Sequence, residues 1–102
     1  MSSQTQLALA DATVNDFAPF IGSAFTLAIN EGEEPSLTLE LTQAAPAGPN
    51  DRPFSLMFSG PSEIPANQGM YWIGNEKLGT LPLFIVPVRA DAERRYYEAI
   101  FN

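Results

Sequence analysis

Leu78-Gly-Thr-Leu-Pro-Leu-Phe-Ile-Val-Pro-Val88-Arg-Ala-Asp-Ala-Glu-Arg-Arg-Tyr-Tyr-Glu-Ala-Ile-Phe-Asn102 is where the chain states its architecture most directly. A nearly continuous apolar run over 80–88 is followed by a polar turn around Asp91 and Glu93 and then by a closing segment, 95–101. Continuous apolar character over so few residues marks a strand buried on both faces, or one that bends from sheet to sheet. Pro82 and Pro87 each remove a ladder donor. The strand is therefore expected to begin near Leu81 and to be kinked or finished near Pro87. In the closing segment Tyr96, Glu98 and Ile100 share one face and Tyr97, Ala99 and Phe101 the other. Both faces carry an aromatic, so the segment is expected to be covered on both sides, by an N-terminal helix or by a partner chain.

Working back from this hairpin, further short strands come into view. Residues 23–30 alternate, with Phe25, Leu27 and Ile29 on one face, and residues 36–43 alternate again through Leu37, Leu39 and Leu41. Asn30-Glu-Gly-Glu-Glu-Pro35 between them supplies a turn, so the two runs form a hairpin with one wet face. Residues 54–59 place Phe54, Leu56 and Phe58 inward, ended by Gly60-Pro61. Residues 69–73 offer a short strand, with a turn at 75–77. Residues 44–53, with three prolines, a glycine and Asn50-Asp51, read as a loop. Near the N-terminus, Val14, Phe17, Phe20 and Ile21 have partial helical spacing. A short helix over 15–20 is expected, capped by Asp11 or Asn15 and closed by Gly22; it reads either as an anchor for a partner or, more ordinarily, as a lid on one end of the sheet. The sum is an all-β, mainly antiparallel fold: a small six-stranded barrel or compact sandwich with one short N-terminal helix. Residues 1–10 are expected to form a flexible segment and 11–102 a single β-domain, the length suiting one core.

Composition narrows function mostly by exclusion. The 102 residues hold 5 basic and 12 acidic side chains, a net charge of −7, which offers no footprint for nucleic acid or anionic lipid. There is no cysteine and no histidine. That removes disulfides, thiolate nucleophiles, Cys/His zinc sites and imidazole-based triads. Charged residues are 17% of the chain, below the roughly 25% usual in globular domains, and uncharged surface of this kind suits cover by another subunit. The N-terminus lacks the positive charge and long apolar run of a signal peptide, and no stretch is long enough to span a bilayer. The protein is thus expected to be cytoplasmic as synthesised. No cofactor is expected.

The candidate sites each compete with an ordinary explanation. Glu31, Glu33 and Glu34 form an acidic turn, but EF-hand spacing is missing and solvated turns look the same, so no metal is expected. Tyr71, Trp72, Tyr96 and Tyr97 are the candidates for a stacking platform lining the mouth of a barrel, where a sugar or flat metabolite would bind; packing in the core or on the sheet is the alternative. Glu98, among Tyr96, Tyr97, Arg94 and Arg95, is either a general acid working with Glu40 or Asp91, or one half of a cross-strand ion pair with Arg89 or Lys77. The enzymatic reading comes last, because nothing in the spacing fixes the separation of two carboxylates. Ser55, Ser59 and Thr80 have no base beside them, and the glycines form no phosphate-binding fingerprint.

Five phrases carry a resemblance that spans residues 17–102: Phe17-Ala-Pro-Phe-Ile-Gly-Ser-Ala-Phe25, Phe54-Ser-Leu-Met-Phe-Ser-Gly-Pro61, Gln68-Gly-Met-Tyr71, the run from Leu78 to Val88, and Tyr97-Glu-Ala-Ile-Phe-Asn102. The chain resembles a family of small bacterial proteins of unassigned function encoded near phage-tail-collar or tail-fibre-like proteins. The matching positions are mostly glycine, proline and aromatic, which describe turns and core and bring no catalytic residues with them. The resemblance implies a structural or accessory component of a phage-tail-like or surface-fibre assembly. Together with the missing catalytic signatures, it gives the leading expectation of a non-enzymatic module. Such a module would meet a protein partner, or copies of itself, through a sheet edge, the 44–53 loop or the N-terminal segment. A sugar-binding or metabolite-binding barrel is the alternative.

Overall fold

The computed structural model describes residues 12–30, 32–35, 37–46, 49, 53–61 and 67–101; the segment 1–10 lies outside them. A helical turn α1 (Val14–Phe17) runs into a 3₁₀ turn (Ala18–Phe20), followed by β1 (Ala24–Ala28), β2 (Leu37–Pro46), β3 (Phe54–Pro61), β4 (Gly69–Asn75), β5 (Gly79–Ala90) and β6 (Arg94–Phe101). The strands close into a barrel in the order β1-β2-β3-β6-β5-β4, every neighbouring pair antiparallel. Of the two architectures expected, the barrel is the one formed. The closing seam is short: Thr26↔Gly74, Leu27↔Ile73 and Ala28↔Trp72 join β1 to β4.

Side-chain alternation fills the interior. Phe25 and Leu27, then Leu37, Leu39 and Leu41, then Phe54, Leu56 and Phe58 point inward from the first half of the chain, and all are buried. Ile73, Leu81, Leu83, Ile85, Tyr97, Ala99 and Phe101 meet them from the second half. Phe25 packs edge-on against Phe58, with centroids 5.4 Å apart. The core is thus a plug of aliphatic and aromatic side chains, as a barrel of so few strands requires.

The short helix starts one step earlier than expected. Thr13 occupies the N-cap, and the Asp16 carboxylate accepts the Thr13 N–H at 2.8 Å and its hydroxyl at 3.3 Å. Asn15 lies inside the first turn and is not the cap, because an acid three residues after Thr13 holds the entry to the helix there; Asp11, the other expected cap, lies outside the described residues. Phe17 is fully buried and leans on Phe54 and Phe101. The helix is therefore a lid on one end of the barrel, as its apolar spacing implies.

Four expectations are corrected. First, β5 is one-sided: Leu81, Leu83 and Ile85 enter the core while Phe84 stands 47% exposed on the outside. Its apolar run hides an ordinary alternation, because both faces happen to carry apolar residues. The strand begins at Gly79, before Leu81, and the bulge between Pro87 and Arg89 is the kink expected near Pro87, beyond which the strand runs on to Ala90. Pro87 is tolerated because the β4 ladder has already ended at Gly69↔Ile85. Second, of the two covers expected for β6 the N-terminal helix is not the one on its outer face: Tyr97, Ala99 and Phe101 are buried on the inner face, but Tyr96 and Glu98 are only half-buried and Ile100 is 59% exposed. Third, the strands around the proline-rich segments run longer. β2 carries Ala44, Ala45 and Pro46 into pairing with β3, and β3 continues through Gly60 and Pro61 to Arg94. Residues 47, 48 and 50–52 of the expected loop lie outside the described residues. Fourth, β1 stops at Ala28, so Ile29 turns out to solvent instead of joining Phe25 and Leu27.

Candidate functional site

Closure of the barrel disperses the aromatic platform. Tyr97 is in the core. Tyr71 is half-buried against the interior, and its hydroxyl donates to the Asn67 carbonyl at 2.8 Å. Trp72 sits on the outer wall, paired with Ala28 and Pro82. Tyr96 is also outward, but it pairs with Ser59 and Arg89. Seven positions of β5 separate Pro82 from Arg89, roughly 23 Å at the rise of a strand. The four rings do not line a common mouth. The reason is alternation: Tyr96 and Tyr97 are adjacent, so one of them had to enter the core.

Tyr96 belongs to a corner built by the β5–β6 turn. The Arg89 guanidinium lies 4.2 Å from the Tyr96 ring centroid, a cation–π contact on the surface. Asp91 accepts the N–H groups of Glu93 (2.9 Å) and Arg94 (2.8 Å) and the Tyr96 hydroxyl (3.4 Å). The Glu93 and Arg94 amides, more than any other group, hold the Asp91 carboxyl below its ordinary value. On the adjoining strand Arg94 Nη2 donates to the carbonyl and hydroxyl of buried Ser59, at 3.0 and 2.8 Å. Arg94 thus fastens the hairpin to β3, while Arg89 and Tyr96 join its two strands.

Glu98 stands between Met57 of β3 and Val86 of β5. Arg89 is engaged over Tyr96, and Lys77 lies in the β4–β5 turn at the far end of β5, so neither faces Glu98 as its cross-strand partner. Glu40 is on β2, with β3 intervening, and Asp91 is committed to its turn. Of the acidic turn, Glu31 lies outside the described residues, and the Glu33 carboxylate accepts the Asn30 N–H (3.2 Å) and side-chain amide (3.3 Å). Among the described residues no three acidic side chains come together in a way that could hold a metal ion.

The feature that sequence reading missed is an exposed apolar row. Met70 of β4 pairs with Phe84 of β5, and the β5–β6 register, through Ile85↔Ala99, sets Ile100 of β6 next in line. Their side chains are 57%, 47% and 59% exposed. Val88, also exposed, and half-buried Met57 and Val86 extend the face. Scattered apolar side chains on a surface mean little, but a row across three neighbouring strands is a patch. Its signal in the sequence is the apolar run of β5, where apolar residues on both faces look the same whether the outer face is covered or open.

Among the described residues no helix is long and apolar enough to cross a membrane. No curated protein and no solved structure matched the chain. The family model of the domain of unknown function DUF6916 matches residues 12–101, from the start of the lid to the end of β6, and the chain belongs to that family of unassigned function.

Proposed function

We propose that this protein is a non-enzymatic structural or accessory module of a phage-tail-like or surface-fibre assembly, docking another protein on the outer wall of β4, β5 and β6. The exposed row Met70–Phe84–Ile100 is the observation that carries this reading. An apolar surface of this kind gains free energy when water is removed from it, at about 25 cal/mol per Å². The tail-like setting rests on the family resemblance.

This wall is preferred over a sheet edge, one of the three contact surfaces expected from the sequence. Ladders on both sides occupy most of the strand edges, and the free stretch of β5 beyond Ile85 carries Pro87 and a bulge, which blunt it against strand addition. The face is the better surface. A different protein suits it more than a second copy, because two chains of net charge −7 repel. The partner's matching surface would be apolar, with a cation to meet half-buried Glu98 beside the row.

Light scattering behind size-exclusion chromatography, with capture from native lysate, tests this reading. The expected result is a named partner retained by the wild type and lost by the Phe84→Glu/Ile100→Lys variant with its fold intact. A strictly monomeric protein that captures nothing, or a partner indifferent to the double variant, overturns it.

A further inference from the structure

The wall of β4, β5 and β6 continues beyond the Met70–Phe84–Ile100 row along the length of β5. Leu81, Leu83 and Ile85 enter the core, so Pro82, Phe84 and Val86 stand outward between and beyond them. Trp72 pairs with Pro82 and shares the outer face of β4 with Met70, two residues away. On the opposite flank β6 turns Ile100 and Glu98 outward, and Glu98 pairs with Val86. β5 is thus the apolar midline of the wall, with an apolar flank on β4 and one acid on the flank formed by β6.

The form of this surface selects among the shapes a partner can take. A strand joins a sheet through an open edge, whereas this wall presents the face of strands held in a closed barrel. A helix meets a sheet through its face, the layer arrangement by which sheets are ordinarily covered. Outward residues two apart on β5 lie roughly 6.6 Å from one another. Positions i, i+4 and i+8 of a helix rise about 6 Å per step. Anchors on one helical stripe therefore match Pro82, Phe84 and Val86 in turn. With side chains a helix is about 10 Å across, enough to touch strands about 4.8 Å to either side. Among the described residues the chain's own helical turns, Val14–Phe17 and Ala18–Phe20, are short and belong to the lid, so a second copy has no such helix to offer.

Glu98 adds charge to this outline. Its carboxylate has no ion pair or hydrogen bond among the described residues. Covering it with an apolar surface alone costs free energy through desolvation. A lysine or arginine beside the apolar stripe offsets that cost and fixes which flank of the helix faces β6. We infer that the occupant of the wall is an amphipathic helix of a different protein, laid along β5 with its stripe on Pro82, Phe84 and Val86 and a basic residue against Glu98. Such a helix presupposes that this wall is a docking face.

Trp72 is the sole tryptophan and lies on the wall, so intrinsic fluorescence of the whole chain reports binding there. Peptides of about 18 residues, free of aromatic side chains, serve as probes. The first places leucine at helical spacing with lysine on the flanks, and the second has glutamate in place of lysine. The third has the composition of the first in strict alternation, the pattern of a strand. The expected result is a saturable change with the first peptide below about 1 mM, and binding at least about fivefold weaker with the other two. Val86→Thr and Glu98→Gln are each expected to weaken the first peptide about fivefold, while Glu76→Gln, the same change of charge in the β4–β5 turn, leaves it unchanged. Equal binding of the helical and alternating peptides, equal effects of Glu98→Gln and Glu76→Gln, or no response to the helical peptide overturns the inference. Self-association through this wall, or a response to phosphatidylcholine vesicles in place of the peptide, overturns it as well. Capture of the native partner, lost in the Phe84→Glu/Ile100→Lys variant, judges the docking face separately: with any of these contrary results it removes the helix and leaves the face.

Discussion

The rings of Phe54 and Phe101 stack with centroids 4.4 Å apart and planes 11° from parallel, joining β3 to β6 at one end of the barrel. Phe17 leans on both, at 5.8 and 5.5 Å, and brings the N-terminal lid into the same cluster. Phe17→Ala is expected to cost about 3–5 kcal/mol, the usual range for truncating a buried aromatic. Urea unfolding followed by tyrosine and tryptophan signals measures it. A loss below about 1 kcal/mol would show that the lid is not part of the cooperative unit.

Arg94 supplies two hydrogen bonds to Ser59, which is 3% exposed. Arg94→Met leaves the buried hydroxyl and carbonyl without these donors and is expected to destabilise by about 1–3 kcal/mol. Ser59→Ala keeps the carbonyl contact and should cost less. A double-mutant cycle between them is expected to show coupling, which independent surface effects would not.

Asp91 gives the β5–β6 turn a pH dependence of known sign. Its folded value is lowered from the ordinary 3.8 chiefly by the Glu93 and Arg94 amides. Its contribution is therefore present above the ordinary value and is lost as pH falls through the folded one. Asp91→Asn keeps an acceptor oxygen but has no charge to lose. The stability gap between wild type and variant is expected at neutral pH and should close in acid, as urea midpoints across that range would record.

Gly60 is required by close approach and not by a turn. A Cβ there would lie 2.7 Å from Cδ2 of Leu39, itself 1% exposed. Gly60→Ala is expected to destabilise by about 1–2 kcal/mol through overpacking. Leu39→Val in the same chain should recover part of the loss in thermal melts, since it removes the atoms in conflict.

Phe84 and Ile100 are apolar and stand 47% and 59% exposed on the outer wall. Phe84→Thr and Ile100→Thr keep β-compatible side chains on an exposed wall and should each change stability by no more than about 0.5 kcal/mol. Loss of partner capture with an unchanged denaturation curve is the expected signature of an interaction surface. A large loss of stability would instead assign the row to the fold.

The strands were largely legible because period-two alternation and turn chemistry are local. Phe25 and Leu27, Leu37 to Leu41, and Phe54 to Phe58 announced their inward faces within a few residues of chain. Asp91 and Asn75 announced turns by the backbone groups their short side chains reach. The site was not legible in the same way. Glu98 sits among several charges in sequence, yet its neighbours across the ladder are Met57 and Val86.

An all-β chain, the number of its strands, the place of most turns and the lid around Phe17 were written in the amino acids alone, since each follows from the spacing of side chains along a pleated or helical backbone. Closure of the sheet, the open outer faces of β5 and β6, and the separation of Trp72 from Tyr96 came with the folded arrangement. Those outcomes depend on register between strands remote in the chain, such as Thr26 with Gly74. Where both faces of a strand are apolar, alternation cannot say which face is covered. The barrel covers only one, because a closed sheet has a single interior.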